Sequence, residues 1–334
     1  MRRIGVVNAY TLPKTPGRQT LRMRAFVDAL AANGWREGRE VAIDLVDAES
    51  DAEARSAARR FADERVDLIH SFGTPVTVAV AETTSEIPIV YYGAHPEGIG
   101  DAACSAPNVT GQVIRIPFTS SYKSFRFLRR MVPRARVVWV AFYEGTMFVP
   151  PAMRAAHRAA RERAGRRVWI PGSSEEVGFR THAALAYIVG VEYRELVYSD
   201  TAELAAALEE IDPADGVLML YNEPFYSSGA TDLFLEVCRR RDIPLIWNNN
   251  PQVAALGGLC GIGADFVELG RVSGELAAAV LAGARPSDLP RRVHDRRMAW
   301  INLDTAERLG LHLESDVLNY FDRHIRGCPG DPCM

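Results

Sequence analysis

No apolar run in the 334 residues approaches the ~20 that a membrane-spanning helix needs, so a helical membrane protein is not expected. Cysteine is scarce and odd in number, five in all. Cys104, Cys238 and Cys260 lie in or near apolar segments, where a structural role fits, and no spacing suits a metal site. Only Cys328 and Cys333 stand close together, in a Pro- and Gly-rich terminus that either closes a small disulfide in an oxidising compartment or stays a free tail. A surplus of positive charge is missing too. The formal net charge is −3, and the clusters Arg129-Arg130, Arg239-Arg240-Arg241 and Arg291-Arg292 fall beside expected helix ends or loops, so no nucleic-acid partner is expected. No Gly-x-Ser-x-Gly elbow, Walker loop, dinucleotide fingerprint or His-Glu-x-x-His is present, and no cofactor or metal is implied. Met1-Arg2-Arg3 leads straight into a strand pattern without a secretory apolar region.

What is present is a globular composition, 48% hydrophobic and 24% charged, long enough for two domains. The chain is organised around Val66-Asp67-Leu68-Ile69-His70-Ser71-Phe72-Gly73-Thr74-Pro75. Val66 to His70 lacks helical periodicity and predicts a strand. Ser71 to Pro75 then predicts a turn, with Gly73 allowing close backbone approach, Thr74 as N-cap and Pro75 at the first position of a helix running from Val76 to Thr83. The free N–H groups and positive dipole end of that helix suit an anion, a carboxylate or phosphate; the competing possibility is an ordinary βα turn with nothing bound.

Around it, strands are expected at Arg3–Asn8, Val41–Val46, Ile87–Tyr92 and Asn108–Ile116, with a helix over about Thr20–Asn33 burying Leu21, Ala25, Val27 and Leu30. A helix starting at Ser50-Asp51 turns Ala54, Ala57, Ala58 and Phe61 inward. The βα pattern then restarts, with strands at Val137–Phe142, Tyr193–Tyr198, Gly216–Tyr221 and Pro244–Trp247, helices between them, a short strand at Leu259–Ile262, a helix over Phe266–Ala282 and a last strand at Ala299–Leu303. Such alternation predicts α/β lobes with parallel sheets covered on both faces.

Ligands of open parallel sheets sit beyond the carboxyl ends of the strands. The residues expected there are Tyr10 and Thr11; Ser71, Phe72, Gly73 and Thr74; Tyr92, Gly93 and His95; Tyr143, Glu144 and Thr146; Tyr221, Asn222 and Glu223; and Asn248, Asn249 and Asn250. Singly each is a turn former or rim aromatic. Together they make an aromatic, amide-rich set suited to a small molecule.

Ile4-Gly5-Val6, Phe26 to Leu30 leading to Gly34-Trp35-Arg36-Glu37-Gly38, Val66 to Ile69 with Gly73-Thr74-Pro75, Ile87-Pro88-Ile89-Val90 and Asn108-Val109-Thr110-Gly111 make a first group of family-like segments. Gly257-Gly258-Leu259, Gly283 to Pro290, Ile301-Asn302-Leu303, Thr305-Ala306 and Leu309-Gly310-Leu311 continue it nearly to the end. In this order the chain resembles the substrate-binding proteins of ABC importers of the tryptophan/tyrosine-binding type. The resemblance implies two Rossmann-like lobes of the type I periplasmic-binding-protein kind, joined by a multi-segment hinge with a ligand cleft between them. Lobe I would comprise 1–113 and 264–288, lobe II 114–263 and 289–325, and 326–334 a C-terminal tail. It implies a monomer, located outside the cytoplasm with its leader not part of this sequence, that captures a solute and hands it to a membrane permease without chemistry.

Two departures stand out. His95-Pro96-Glu97 replaces an Asp-Pro pair usual in the family, leaving Glu97 as the available acid, and residues 161–179 are extra material. The leading expectation is a binder of a small carboxylate-bearing solute, aromatic or amino-acid-like. Phe72, Tyr92, Tyr143 and Tyr221 would give ring contacts, Ser71, Gly73 and Thr74 anion contacts, and Glu144 or Glu223 an ammonium partner. The alternatives are a transferase or hydrolase using His95 with Glu97 or His70 beside Ser71, and a ligand-sensing domain of a receptor or regulator.

Overall fold

Each apolar run named above becomes a strand, and the strands form two sheets in a computed structural model. Residues 1–9, 20–48, 51–94, 106–114, 125, 127–143, 186, 189–198, 200–220, 230–248 and 251–326 are described. In chain order the elements begin β1 (Arg2–Ala9), α1 (Leu21–Ala32), β2 (Val41–Ala48), α2 (Asp51–Asp63), β3 (Leu68–Phe72), α3 (Thr74–Ala81), β4 (Ile89–Ala94), β5 (Val109–Ile114) and β6 (Val137–Tyr143). They continue with β7 (Glu192–Tyr198), α4 (Thr201–Glu209), β8 (Gly216–Leu220), α5 (Ala230–Arg240), β9 (Leu245–Asn248), β10 (Cys260–Ala264) and α6 (Phe266–Leu281). The last are β11 (Arg292–His294), β12 (Arg297–Asn302), α7 (Leu303–Arg308), α8 (Ser315–Leu318) and β13 (Arg323–Ile325).

The chain divides into two compact units, Met1–Arg115 with Asp265–Arg296 and Ile116–Ala264 with Arg297–Met334. The return crossing falls at Arg296/Arg297 instead of the expected 288/289, because the short strand β11 pairs in parallel with β5 and stays with the first unit. A three-residue strand whose Arg292 and Val293 are exposed carries no apolar run that would announce it.

The first unit's sheet runs β11-β5-β4-β3-β1-β2, every pairing parallel. Side chains alternate between its faces. Ile4, Val6, Leu68 and Val90 bury against Met23, Phe26 and Leu30 of α1 and Leu276 to Leu281 of α6. The other face packs on α2 and α3, with Ala54, Ala57, Ala58 and Phe61 turned inward as expected. The buried stripe of α1 differs from expectation: Arg22, Met23, Phe26, Ala29 and Leu30 are buried, whereas Leu21, Ala25 and Val27 are only half-buried. Because α1 packs on α6 as well as on the sheet, the stripe follows i, i+3, i+4 spacing from Arg22, a position that hydropathy assigns to solvent.

The second unit's sheet runs β13-β12-β10-β9-β8-β6-β7 and is parallel except where β12 lies antiparallel to β10. Val138, Val140, Val217, Met219 and Ile246 face one buried cluster, while Trp139, Leu218, Leu220 and Leu245 face the other, which α4 and α5 cover. No described helix is long and apolar enough to cross a membrane.

Candidate functional site

At the carboxyl end of the first unit's sheet, Asp47 of β2, Asn8 of β1, Phe72 of β3 and Tyr92 of β4 stand in register across four neighbouring strands. Register partners in parallel strands project to the same face, here the one toward α1 and α6. Asn8 Nδ2 donates to Asp47 Oδ1 at 3.2 Å, and the buried Asn8 Oδ1 has no hydrogen-bond partner.

Beyond Phe72 the chain turns into α3. Gly73 has φ 82° and ψ 155°, a left-handed region that favours glycine, and its N–H donates to the Tyr92 carbonyl at 3.0 Å. Gly73, not Thr74, therefore takes the N-cap position, and Thr74 already belongs to the helix. No side chain caps it, and Pro75 brings no N–H. The Thr77 N–H and hydroxyl both donate to the Gly73 carbonyl, at 3.0 and 2.8 Å, so that carbonyl is occupied while the first N–H groups have no side-chain cap. A helix start without a side-chain cap presents donors and positive dipole to the space above the strand ends.

Ser71 does not face that space. Its buried hydroxyl lies 3.0 Å from the Thr77 hydroxyl on the α2/α3 face, where it braces the turn. His70 points to the opposite face. It is sandwiched between Phe26, with ring centres 4.2 Å apart, and Tyr92, at 4.8 Å, and its Nδ1 lies 2.8 Å from the Val90 carbonyl. Nδ1 then carries the proton and Nε2 has no partner. Burial first, and then the Arg22 charge, push its pKa down to about 4, against the pull of the Val90 carbonyl. Adjacent strand residues on opposite faces cannot form a nucleophile–base pair, so His70 beside Ser71 is packing.

Phe72 is only 7% exposed and Tyr92 1%. The Tyr92 ring is covered by His70 on one side and meets Phe72 at 4.7 Å on another, and burial pushes its hydroxyl up to about 12. Phe72 carries the Arg22 guanidinium on its face, 4.0 Å from the ring centre, and meets Phe266 edge-on at 6.4 Å. Gly93, with φ 71°, fits under this stack because a Cβ there would sit 2.6 Å from the Phe72 ring. The aromatic pair expected to offer ring faces to a ligand is thus largely taken up by protein contacts.

Of the residues expected at strand ends, the structure brings Phe72, Gly73, Thr74, Tyr92 and Gly93 to one edge of the first unit, and places Tyr143 and Asn248 at the ends of β6 and β9 in the second. Tyr10, Thr11, His95, Glu97, Glu144, Thr146, Tyr221, Asn222, Glu223, Asn249 and Asn250 lie outside the described residues, as do 161–179, Cys104, Cys328 and Cys333. Cys238 and Cys260 are free and buried, their thiols pushed up to about 12 by burial. Sequence reasoning missed Arg22, Asn8 and Asp47. The signal for Asn8 and Asp47 is that both are polar residues near the carboxyl ends of apolar strands; Arg22 sits one residue from a helix start.

Among the described residues no group of three His, Cys, Asp or Glu side chains could hold a metal ion. A family model described as ABC transporter substrate binding protein matches residues 13–162 and 172–325. The tyrosine-binding protein of Clostridioides difficile (strain R20291) is 23% identical over 303 residues, 89% of this chain and 79% of that protein. A conserved domain protein from Vibrio cholerae has a similar structure, with TM-score 0.71 at 19% identity, over 97% of this chain and 99% of that one. The structure of an ABC domain in complex with L-Trp from Streptococcus pneumoniae gives TM-score 0.69 at 18% identity, over 97% and 99% of the two chains. Likeness at these identities concerns the fold, which is the two-lobed α/β type I periplasmic-binding-protein architecture. The family match spans nearly the whole sequence, and the chain belongs to the ABC transporter substrate binding proteins.

Proposed function

We propose that this protein is the solute-binding component of an ABC importer, working outside the cytoplasm as a monomer. It captures a small carboxylate-bearing solute, aromatic or amino-acid-like, at the carboxyl edge of the first unit and delivers it unchanged to a membrane permease. Tyr143 and Asn248, with Glu144 or Glu223 for an ammonium group, are the further solute-contact candidates that the sequence offers. The observation that carries this reading is the α3 start after Gly73, which has no side-chain cap and lies beside a buried arginine on Phe72. Positive dipole and fixed cation at one edge select a negative group. Support for the amino-acid class comes from similarity to a tyrosine-binding protein and to a structure holding L-Trp.

The test is a melting screen of the purified protein against the amino acids and a set of aromatic acids, with each mixture then assayed for product. A true solute present at about 100 times its Kd stabilises the folded state by roughly 2.7 kcal/mol. Absence of any stabilising carboxylate, or conversion of one into product, would overturn the reading.

A further inference from the structure

Arg22 is a cation held where elementary electrostatics disfavours one. It lies in the first turn of α1, whose dipole repels positive charge and which carries no acidic residue to offset it. It is only 5% exposed. No described carboxylate forms an ion pair with it, and its Nε has no hydrogen-bond partner. Removing a charge without a carboxylate partner from water is costly, and stacking on Phe72 together with a hydrogen bond to the Tyr92 hydroxyl recovers only part of that cost.

Its surroundings also hold it still. A Cβ on Gly270 of α6 would sit 2.0 Å from the Arg22 carbonyl oxygen, so the backbone there is clamped by the approach of two helices. The guanidinium carbon sits over the Phe72 ring, and Phe72 in turn rests on Gly93 and against Tyr92. Phe72 is the residue immediately before the Gly73 turn, so the cation and the start of α3 share one corner of the sheet. A cation that is rigid, desolvated and left with an unused donor is the makeup of a receptor for an oxyanion, because ordering and desolvation are settled before the ligand arrives.

We propose that Arg22 is the anion receptor of this site: its guanidinium, positioned by Phe72, hydrogen-bonds the carboxylate of the captured solute alongside the first-turn N–H groups of α3. The inference rests on the solute-binding function proposed above and names the side chain that reads the solute's charged end.

The test follows the Arg22 Nε–H signal by NMR in 15N-labelled protein, assigned by its loss in Arg22→Lys. The probes are benzoate, L-tyrosine and L-tryptophan, each against its counterpart without a carboxylate: benzamide, tyramine and tryptamine. At least one carboxylate should move the signal while its counterpart does not, and Arg22→Gln should weaken that probe's Kd on the order of tenfold or more. Should Arg22→Gln fail to fold, Arg22→Lys keeps the charge but loses the planar fork, and should still bind more weakly than wild type. A signal unmoved by all three carboxylates, or an Arg22 variant that binds as tightly as wild type, overturns the assignment. If L-tyrosine or L-tryptophan raises the melting temperature while the signal stays in place, solute binding stands and Arg22 alone falls. If no carboxylate stabilises the protein at all, both fall together.

Discussion

His70 shows how one side chain can look chemical in sequence and be structural in space. Its ring lies between Phe26 and Tyr92, its Nδ1 faces the Val90 carbonyl and, at 3.4 Å, the Ser273 hydroxyl, and the Arg22 charge is near enough to disfavour a second proton. The folded protein holds it neutral with a pKa of about 4 against an ordinary 6.5. Between those values the unfolded chain binds a proton that the folded chain refuses. Stability is therefore lost as pH falls from about 6.5 to about 4, and this contribution is flat below. At ~1.36 kcal/mol per pKa unit the full loss is on the order of 3 kcal/mol. Urea unfolding of wild type and His70→Gln at pH 7 and pH 4.5 checks it. Wild type should lose more stability than the variant over that interval, and parallel losses would assign the pH dependence to other groups.

The pairing of α1 with α6 belongs to the scale of elements, and it sets how far the sequence could be read. Gly270 and Gly274, one turn apart on α6, face the backbone of α1, where a Cβ would meet the Arg22 and Phe26 carbonyl oxygens at 2.0 and 2.5 Å. Gly270→Ala should force the helices apart and lower stability by about 1–3 kcal/mol, seen as a lower urea midpoint. Arg271→Ala, on the exposed side of the same helix with ion pairs to Glu268 and Glu275, should cost less than ~1 kcal/mol. Equal effects from the two would deny that the helices are in close contact. The strands and most helices were legible because apolar runs bounded by Gly, Pro and Asn follow from local chemistry. The strands β11 and β13 were not, since Arg-Val-His and Arg-His-Ile are short, mostly exposed and ordered only by the neighbour they pair with. Likewise Phe72 and Gly73 were legible as a strand end and a breaker, while Arg22 was not. Its burial depends on a helix contact made about 250 residues further along the chain, and a lone arginine in an amphipathic stretch is ordinarily solvated.

At the scale of the whole molecule, the first unit is assembled from two stretches of chain that a long insertion separates. Residues 1–115 supply five of its six strands, and 265–296 supply β11 and α6. Without α6, Ile4, Val6, Leu68 and Val90 lose much of the cover on one sheet face. At roughly 1.5–3 kcal/mol for each large side chain returned to water, that loss rivals the ~5–15 kcal/mol stability of an ordinary domain. Residues 1–115 alone should therefore not fold. The two stretches can be joined, because the junction is already closed by contacts within the unit. Ile114 at the end of β5 pairs with His294, His294 Nε2 accepts from the Asp265 N–H at 3.2 Å, and Gln112 Nε2 donates to the Leu269 carbonyl at 2.7 Å. A chain linking Arg115 to Asp265 through a short Gly-Ser segment and ending at Arg296 should melt cooperatively by circular dichroism and give a dispersed NMR spectrum, whereas 1–115 should give neither. A cooperative melt from 1–115 alone would mean that its sheet is stable with that face open, and that α6 is an accessory to the unit and not part of its core.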